Sequence, residues 1–175
     1  QTSNSFAFEG LANASTEAIA LIFVGLLTKG GIFVSGLWLP LTHSETETPI
    51  SALLSGVVVK AGIYPLVRFA LMAPEIDTIV RFFGVATALY GVSYAVFSND
   101  TKRILAFHTV SQLGFILAAP AVGGFYALTH GLVKSALFLI SGHLPSRNIK
   151  VLKQNPIPRS IRIALAIASF SISGY

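Results

Sequence analysis

The sequence predicts an all-α fold: a polytopic transmembrane helical bundle. Three observations carry this. Of the 175 residues, 53% are hydrophobic and 11% charged, whereas soluble domains carry about 25% charged residues. Mean hydropathy is +0.73. The apolar residues also fall into about six runs of membrane-span character, separated by short polar or proline-containing segments.

Composition excludes several functions. The chain has no cysteine, so disulfides and thiolate metal sites are ruled out. The net charge of +5 does not indicate nucleic acid, because the basic residues stand singly inside apolar runs or in one late loop. No basic face with interleaved aromatics is present. No HExxH, GxGxxG, P-loop or nucleophile elbow occurs, and the histidines are scattered. No metal, cofactor or catalytic residue is therefore expected. There is no signal-peptide pattern and no initiator Met, and the chain ends inside an apolar run. The expectation is an internal piece of a longer polytopic protein.

Residues 1–15 are polar and read as an aqueous loop, with the transmembrane domain over 16–175. The first span is expected over 16–40. Lys29 stands at its centre, followed by Gly30 and Gly31. Two glycines beside a charge predict a broken helix lining a polar interior. Pro40 is expected to stop this span, and 41–48 is read as a loop holding His43, Glu45 and Glu47. The second span, 49–72, begins at Pro49, a favoured first position. It holds Lys60 near its midpoint, and Pro65 should kink it. Ala73-Pro74-Glu75 reads as a turn before a third span over 77–97. Ser98-Asn99-Asp100 has capping potential ahead of a fourth span, 104–119, with His108, Ser111 and Gln112 one turn apart. Gly123-Gly124 reads as a break, followed by a fifth span over 125–142. His130 and Lys134 form an i, i+4 pair on its face. A basic loop over 143–158 precedes a sixth, truncated run from Arg159.

Loop charge sets the orientation. The basic loops 98–103 and 143–162 fall on one side, which the positive-inside rule makes cytoplasmic. The expected location is an integral membrane position, in a bacterial inner or plasma membrane or an energy-transducing membrane such as the thylakoid.

Lys29, Lys60 and Lys134 are the candidate functional residues, with His130. Each lysine at mid-depth costs roughly 2.5–3.5 kcal/mol on an insertion scale, and such residues mark ion or proton pathways. Lysines sharing a dry cavity repel one another, and burial disfavours their charged form. One can then release a proton and pass it to the next, with a histidine well suited to join. His108, Ser111 and Gln112 are candidates for the same path or for polar packing between helices. Purely structural ion pairing and a Schiff-base lysine for a bound chromophore remain the competing readings of the lysines.

The ordered segments TKGGIFVSGLWLP, TPISALLSGVVVKAGIYPLVR, NDTKRILAFHTVSQLGF and ALTHGLVKSALFLISG resemble the antiporter-like membrane subunits. These are shared by Mrp-type cation/proton antiporters and complex I or NDH-1. The resemblance implies a parent bundle of about fourteen helices with two inverted five-helix repeats, of which this piece would be the second. It implies Lys29 as the broken-helix lysine, Lys60 as the lysine or histidine of the next helix, and His130 with Lys134 as the central relay. Tyr126 stands where some members have a second histidine. The acidic partner of Lys29 would lie in an earlier helix. Glu17 cannot replace it, being roughly 18 Å away along the helix.

The implied function is a proton-translocating subunit of a multisubunit complex, either Mrp D-like or a NADH/quinone oxidoreductase. The subunit is not itself catalytic and holds no cofactor. Its implied partners are other membrane subunits, the lipid bilayer, protons and Na⁺ or K⁺, with no nucleic acid. The alternative is a truncated, non-transporting structural fragment that only packs in such a complex.

Overall fold

A computed structural model describes residues 14–33 and 35–173, with the backbone alone for Glu75 and Ser173. All of the aqueous loop expected over 1–15 except its last two residues lies outside this range. Among the described residues there are helices and no strand, as the composition requires.

Helix α1, Thr16–Gly30, opens on Ser15, whose hydroxyl accepts the Ala18 N–H at 3.3 Å. Glu17 in its first turn suits the helix dipole. The break falls where the double glycine predicts. Gly31 takes φ 70°, ψ 33°, and the Gly31 and Ile32 amides close back on Thr28 O and Leu27 O at 3.2 and 3.0 Å. This is the left-handed helix ending that glycine alone adopts without penalty. The irregular backbone beyond it is tied to protein groups, as membrane-buried backbone must be. Phe33 N–H donates to Thr87 Oγ1 at 3.0 Å, and Trp38 Nε1 donates to Thr28 O at 2.8 Å.

Chain direction then recovers in α2, Trp38–Glu45. Pro40 does not stop the helix as expected. The break comes earlier, so Pro40 occupies the first turn of a new helix, where its missing N–H costs nothing. The predicted loop at 41–48 is correspondingly reduced, and His43 is helical and fully buried.

Helix α3, Thr48–Leu53, has Pro49 in its first turn as predicted. A π turn over Leu54–Val58 follows, then α4, Lys60–Met72. The irregularity of this span therefore lies at the π turn, while Pro65 sits within continuous α4. The turn expected at 73–75 shrinks to Ala73, because Pro74 starts α5, Pro74–Phe97. Asp100 caps α6, Thr101–Ala118, by accepting the Arg103 N–H at 3.0 Å. Helix α7, Pro120–Ser141, begins before the double glycine and runs through it. Pro120 supplies the start signal. A Cβ at Gly123 would come within 2.5 Å of Ile116 O, so this glycine allows close packing and does not break the helix. The basic loop contains α8, Ile149–Gln154, and α9, Arg159–Ser173, packs along α7.

Among the described residues, three helices are long and apolar enough to cross a membrane: Thr48–Met72 taken through the π turn, Ile76–Phe97 and Pro120–Ser141. Helix α1 has 15 residues, about 22 Å at 1.5 Å per residue. It falls short of a hydrocarbon core of about 30 Å. The core joins one stripe of α4 (Ile63, Leu66, Val67, Ala70) to Val110, Leu113, Ile116 and Leu117 of α6. Helices α5 and α6 approach backbone to backbone, with a Cβ on Gly114 placed 2.4 Å from Ala88 N. The outer surface is apolar, with Phe97, Val96 and Leu21 at least 75% exposed.

The two basic loops meet at one end. Arg147 pairs with Asp100 at 3.2 Å, Thr101 N–H donates to Arg147 O at 2.8 Å, and Ile149 N–H donates to Asn99 O at 3.0 Å.

Two outcomes follow from these constraints. Gly31→Ala forces an L side chain into the left-handed region and should cost about 1–2 kcal/mol, read as a lower thermal denaturation midpoint in detergent. An unchanged midpoint would show that the break tolerates other conformations. Asp100→Ala removes a helix cap worth about 1 kcal/mol and the Arg147 tether. Limited proteolysis should then cut the 143–158 segment faster than in the unsubstituted chain.

Candidate functional site

The sequence left Lys60, His130 and Lys134 on two separate spans, and packing brings them together. Helix α7 presents His130 and Lys134 one turn apart on its inner face, 1% and 0% exposed. The π turn and α4 lie against that face. A Cβ on Gly131 would sit 2.7 Å from Gly56 O and 3.8 Å from Lys60 Cε. The Lys60 stem therefore lies beside the turn of α7 that links His130 to Lys134. Only glycines at 56 and 131 allow the two backbones this approach.

The π turn also supplies a ligand for Lys60. Val59 N–H bonds Leu54 O at 3.2 Å in place of Ser55 O, and the Lys60 ammonium donates to Ser55 O. Ser55 Oγ in turn bonds Thr109 Oγ1 of α6 at 3.0 Å. Lys60 is half-buried and lines a groove of about 340 Å³ with Gly56, Tyr64, Gly131 and Ser135.

The buried nitrogens differ from Lys60. Lys134 Nζ, both ring nitrogens of His130 and His108 Nδ1 are buried with no hydrogen-bond partner among the described residues. His130 lies within electrostatic range of Lys60, Lys134 and His108. The ion pairs described, Arg81–Asp77 and Arg147–Asp100, both lie at helix ends. No carboxylate among the described residues forms an ion pair with the interior cations. A set of amines and imidazoles with unclaimed nitrogens can accept, hold and release protons. It offers no metal cluster among the described residues.

The three polar residues of α6 divide. His108 joins the buried set. Gln112 Oε1 accepts the Tyr126 hydroxyl, whose ring lies 6.2 Å from that of His130. Ser111 Oγ instead donates to Ala88 O of α5 at 3.0 Å, which is polar packing between helices. Lys29 is not brought to the others. It stands on the exposed face of α1, with no ion-pair partner among the described residues.

Two residues outside the predicted set are buried, His43 beside this site and Lys102 toward the basic loops. His43 is 0% exposed and stacks on Phe138, with ring centroids 4.7 Å apart and an interplanar angle of 11°. Lys134 Nζ lies 5.9 Å from the centroid of the same Phe138 ring. The available signal was the Leu39, Pro40, His43 spacing, which is one helix face if the helix restarts at Trp38. Lys102, ahead of the apolar run from Ile104, is 7% exposed and donates to Thr46 O at 2.7 Å. Removal from water and the Arg147 guanidinium push it below the ordinary lysine range, while Asp100 and Glu47 pull the other way.

Comparison with known proteins agrees with this architecture. The family model described as "NADH:quinone oxidoreductase/Mrp antiporter, TM" matches residues 3–174. The chloroplastic NAD(P)H-quinone oxidoreductase subunit 5 of Ceratophyllum demersum is 38% identical over 139 residues, covering 74% of this chain and 19% of the relative. That of Spinacia oleracea is 38% identical over 133 residues, covering 71% and 18%. The chain thus spans about a fifth of the length of these curated relatives. Among solved structures, the Mrp complex from Dietzia sp. DQ12-45-1b matches with a TM-score of 0.69 and 25% identity, over 99% of this chain and 39% of that one. The archaeal membrane-bound sulfane sulfur reductase complex shares the fold, with a TM-score of 0.77 and 23% identity over 90% of this chain and 36% of that one. A helical membrane domain with this match along nearly its whole length belongs to the NADH:quinone oxidoreductase/Mrp antiporter transmembrane family.

Proposed function

We propose that this chain is the proton-conducting part of a membrane subunit in a multisubunit complex, either a cation/proton antiporter or a quinone oxidoreductase. The observation that carries the reading is the juxtaposition of Lys60, His130 and Lys134 in the interior without a carboxylate ion-pair partner among the described residues. Adding a proton to one member raises the electrostatic cost of a proton on its neighbours. A proton arriving at one end is therefore repelled onward. No covalent intermediate is involved, and the subunit holds no redox centre.

Lys29 is the lateral end of this relay. Its exposed face on α1 is the side on which further helices of the subunit would pack, and a carboxylate from one of them would stabilise its charge. His108 and the Tyr126–Gln112 pair extend the polar path around His130. The loops at 98–103 and 143–162 share one end of the bundle, and their lysines and arginines support a cytoplasmic side, or its organellar equivalent, for that end. Neighbouring subunits supply the coupling, either a Na⁺ or K⁺ gradient or electron transfer to quinone.

The test uses the assembled complex carrying the full-length subunit, in proteoliposomes. Lys60→Ala and Lys134→Ala should each lower proton-coupled transport at least about tenfold, at the low end of what loss of a proton-transfer group costs, with assembly unchanged. Lys29→Ala should do the same. Lys134→Arg separates the relay from simple charge, because arginine keeps the cation but does not release its proton. It should be as inactive as Lys134→Ala. Wild-type transport in these variants would rule the relay out.

A further inference from the structure

His43 is closed off entirely by residues of this chain, at 0% exposure. Helices that join the bundle from elsewhere need not supply its surroundings. Its ring lies on Phe138, and neither ring nitrogen has a hydrogen-bond partner among the described residues. A phenylalanine would stack equally well. The imidazole brings two polar atoms into the interior at a cost in desolvation that packing does not return.

Three cations lie within electrostatic range of the ring: Lys134 of α7, Lys60 of α4 and Lys102 of α6. Lys134 Nζ shares the Phe138 ring with His43, and Lys102 holds the backbone just beyond it at Thr46 O. Hydroxyls lie against the backbone at and after His43. Ser51 Oγ bonds Thr46 Oγ1 at 2.9 Å and lies 3.4 Å from His43 O. Lys102 holds Thr46 O, and Arg147 Nη2 donates to Ser44 O at 3.0 Å. The α2–α3 corner is thus a short polar route from the Phe138 ring to the basic loops.

From this placement we propose that His43 is the group through which the buried Lys/His set exchanges protons with the bundle end carrying Lys102 and Arg147. The inference rests on the relay reading above. An imidazole accepts a proton on one ring nitrogen while giving up the proton on the other. One proton leaves the Lys134 ammonium and one is released to water past the Thr46–Ser51 hydroxyls. No electrons move, and the ring remains neutral in its other tautomer. Burial and the Lys134, Lys102 and Lys60 ammoniums disfavour a proton resting on His43. The ring passes protons without storing them.

The experiment is transport by the assembled complex in liposomes, with pH varied on one side at a time. His43→Phe keeps the stack and removes both nitrogens, and His43→Gln keeps a polar side chain that cannot relay. Both should lower transport at least about tenfold and flatten the dependence of rate on pH at the basic-loop side. If Lys134→Ala abolishes transport while both His43 variants run at the wild-type rate, His43 is a packing residue and the proposal is overturned. A lower rate with an unaltered one-sided pH profile overturns it equally. If Lys134→Ala itself retains transport, the relay reading fails first. Should His43→Phe not assemble, His43→Gln and its pH profile decide.

Discussion

Burying an amine in an apolar interior, with no carboxylate partner among the described residues, is the cost around which this bundle is built. Lys134 is completely enclosed, and an isolated charge in such a place loses several kcal/mol of hydration even after relaxation. Packing elsewhere has to offset that. The apolar stripe of α4 against α6, the backbone-to-backbone approach of α5 and α6, and the glycine contact of the π turn with α7 are the close-packed features that do so. They also hold α7 in place, so the costly groups cannot turn out to lipid. Stability is concentrated in the seams, and the polar centre is left as the part that can change protonation.

Much of this was legible in the sequence, for a simple reason. A lysine in an apolar run has to be explained, so Lys60 and Lys134 stood out from composition alone, and His130 followed from helical spacing. The broken helix was equally readable, because Gly31 beside Gly30 removes the Cβ that would resist a left-handed ending. What could not be read was which face each helix buries. Lys29 resembles Lys134 in local sequence but ends up exposed, because burial depends on which helices pack alongside.

The misread elements share a cause. Pro40 and Gly123-Gly124 read as stops in the sequence, and each instead lies inside a helix. Proline and glycine have opposite meanings at different positions in a helix, and the position is set by where the previous element ends. Once Gly31 ends α1 early, Pro40 becomes a helix start, and His43 moves from a loop into the interior. A shift of a few residues at one boundary thus separates a surface histidine from a buried one.

The π turn at Leu54–Val58 has a consequence for the whole crossing. It holds one residue more than an α-helix would need, so everything after it is rotated by about 100°, one residue's share of a turn at 3.6 residues per turn. The crossing before the turn faces α7. After it, the crossing keeps α7 but also turns toward α1 and α5. A single surplus residue thus lets one membrane crossing address two sets of neighbours, with Lys60 at the seam between them. Removing that residue would leave composition and hydropathy almost unchanged, yet it would turn the lysine away from the α7 face it lies against.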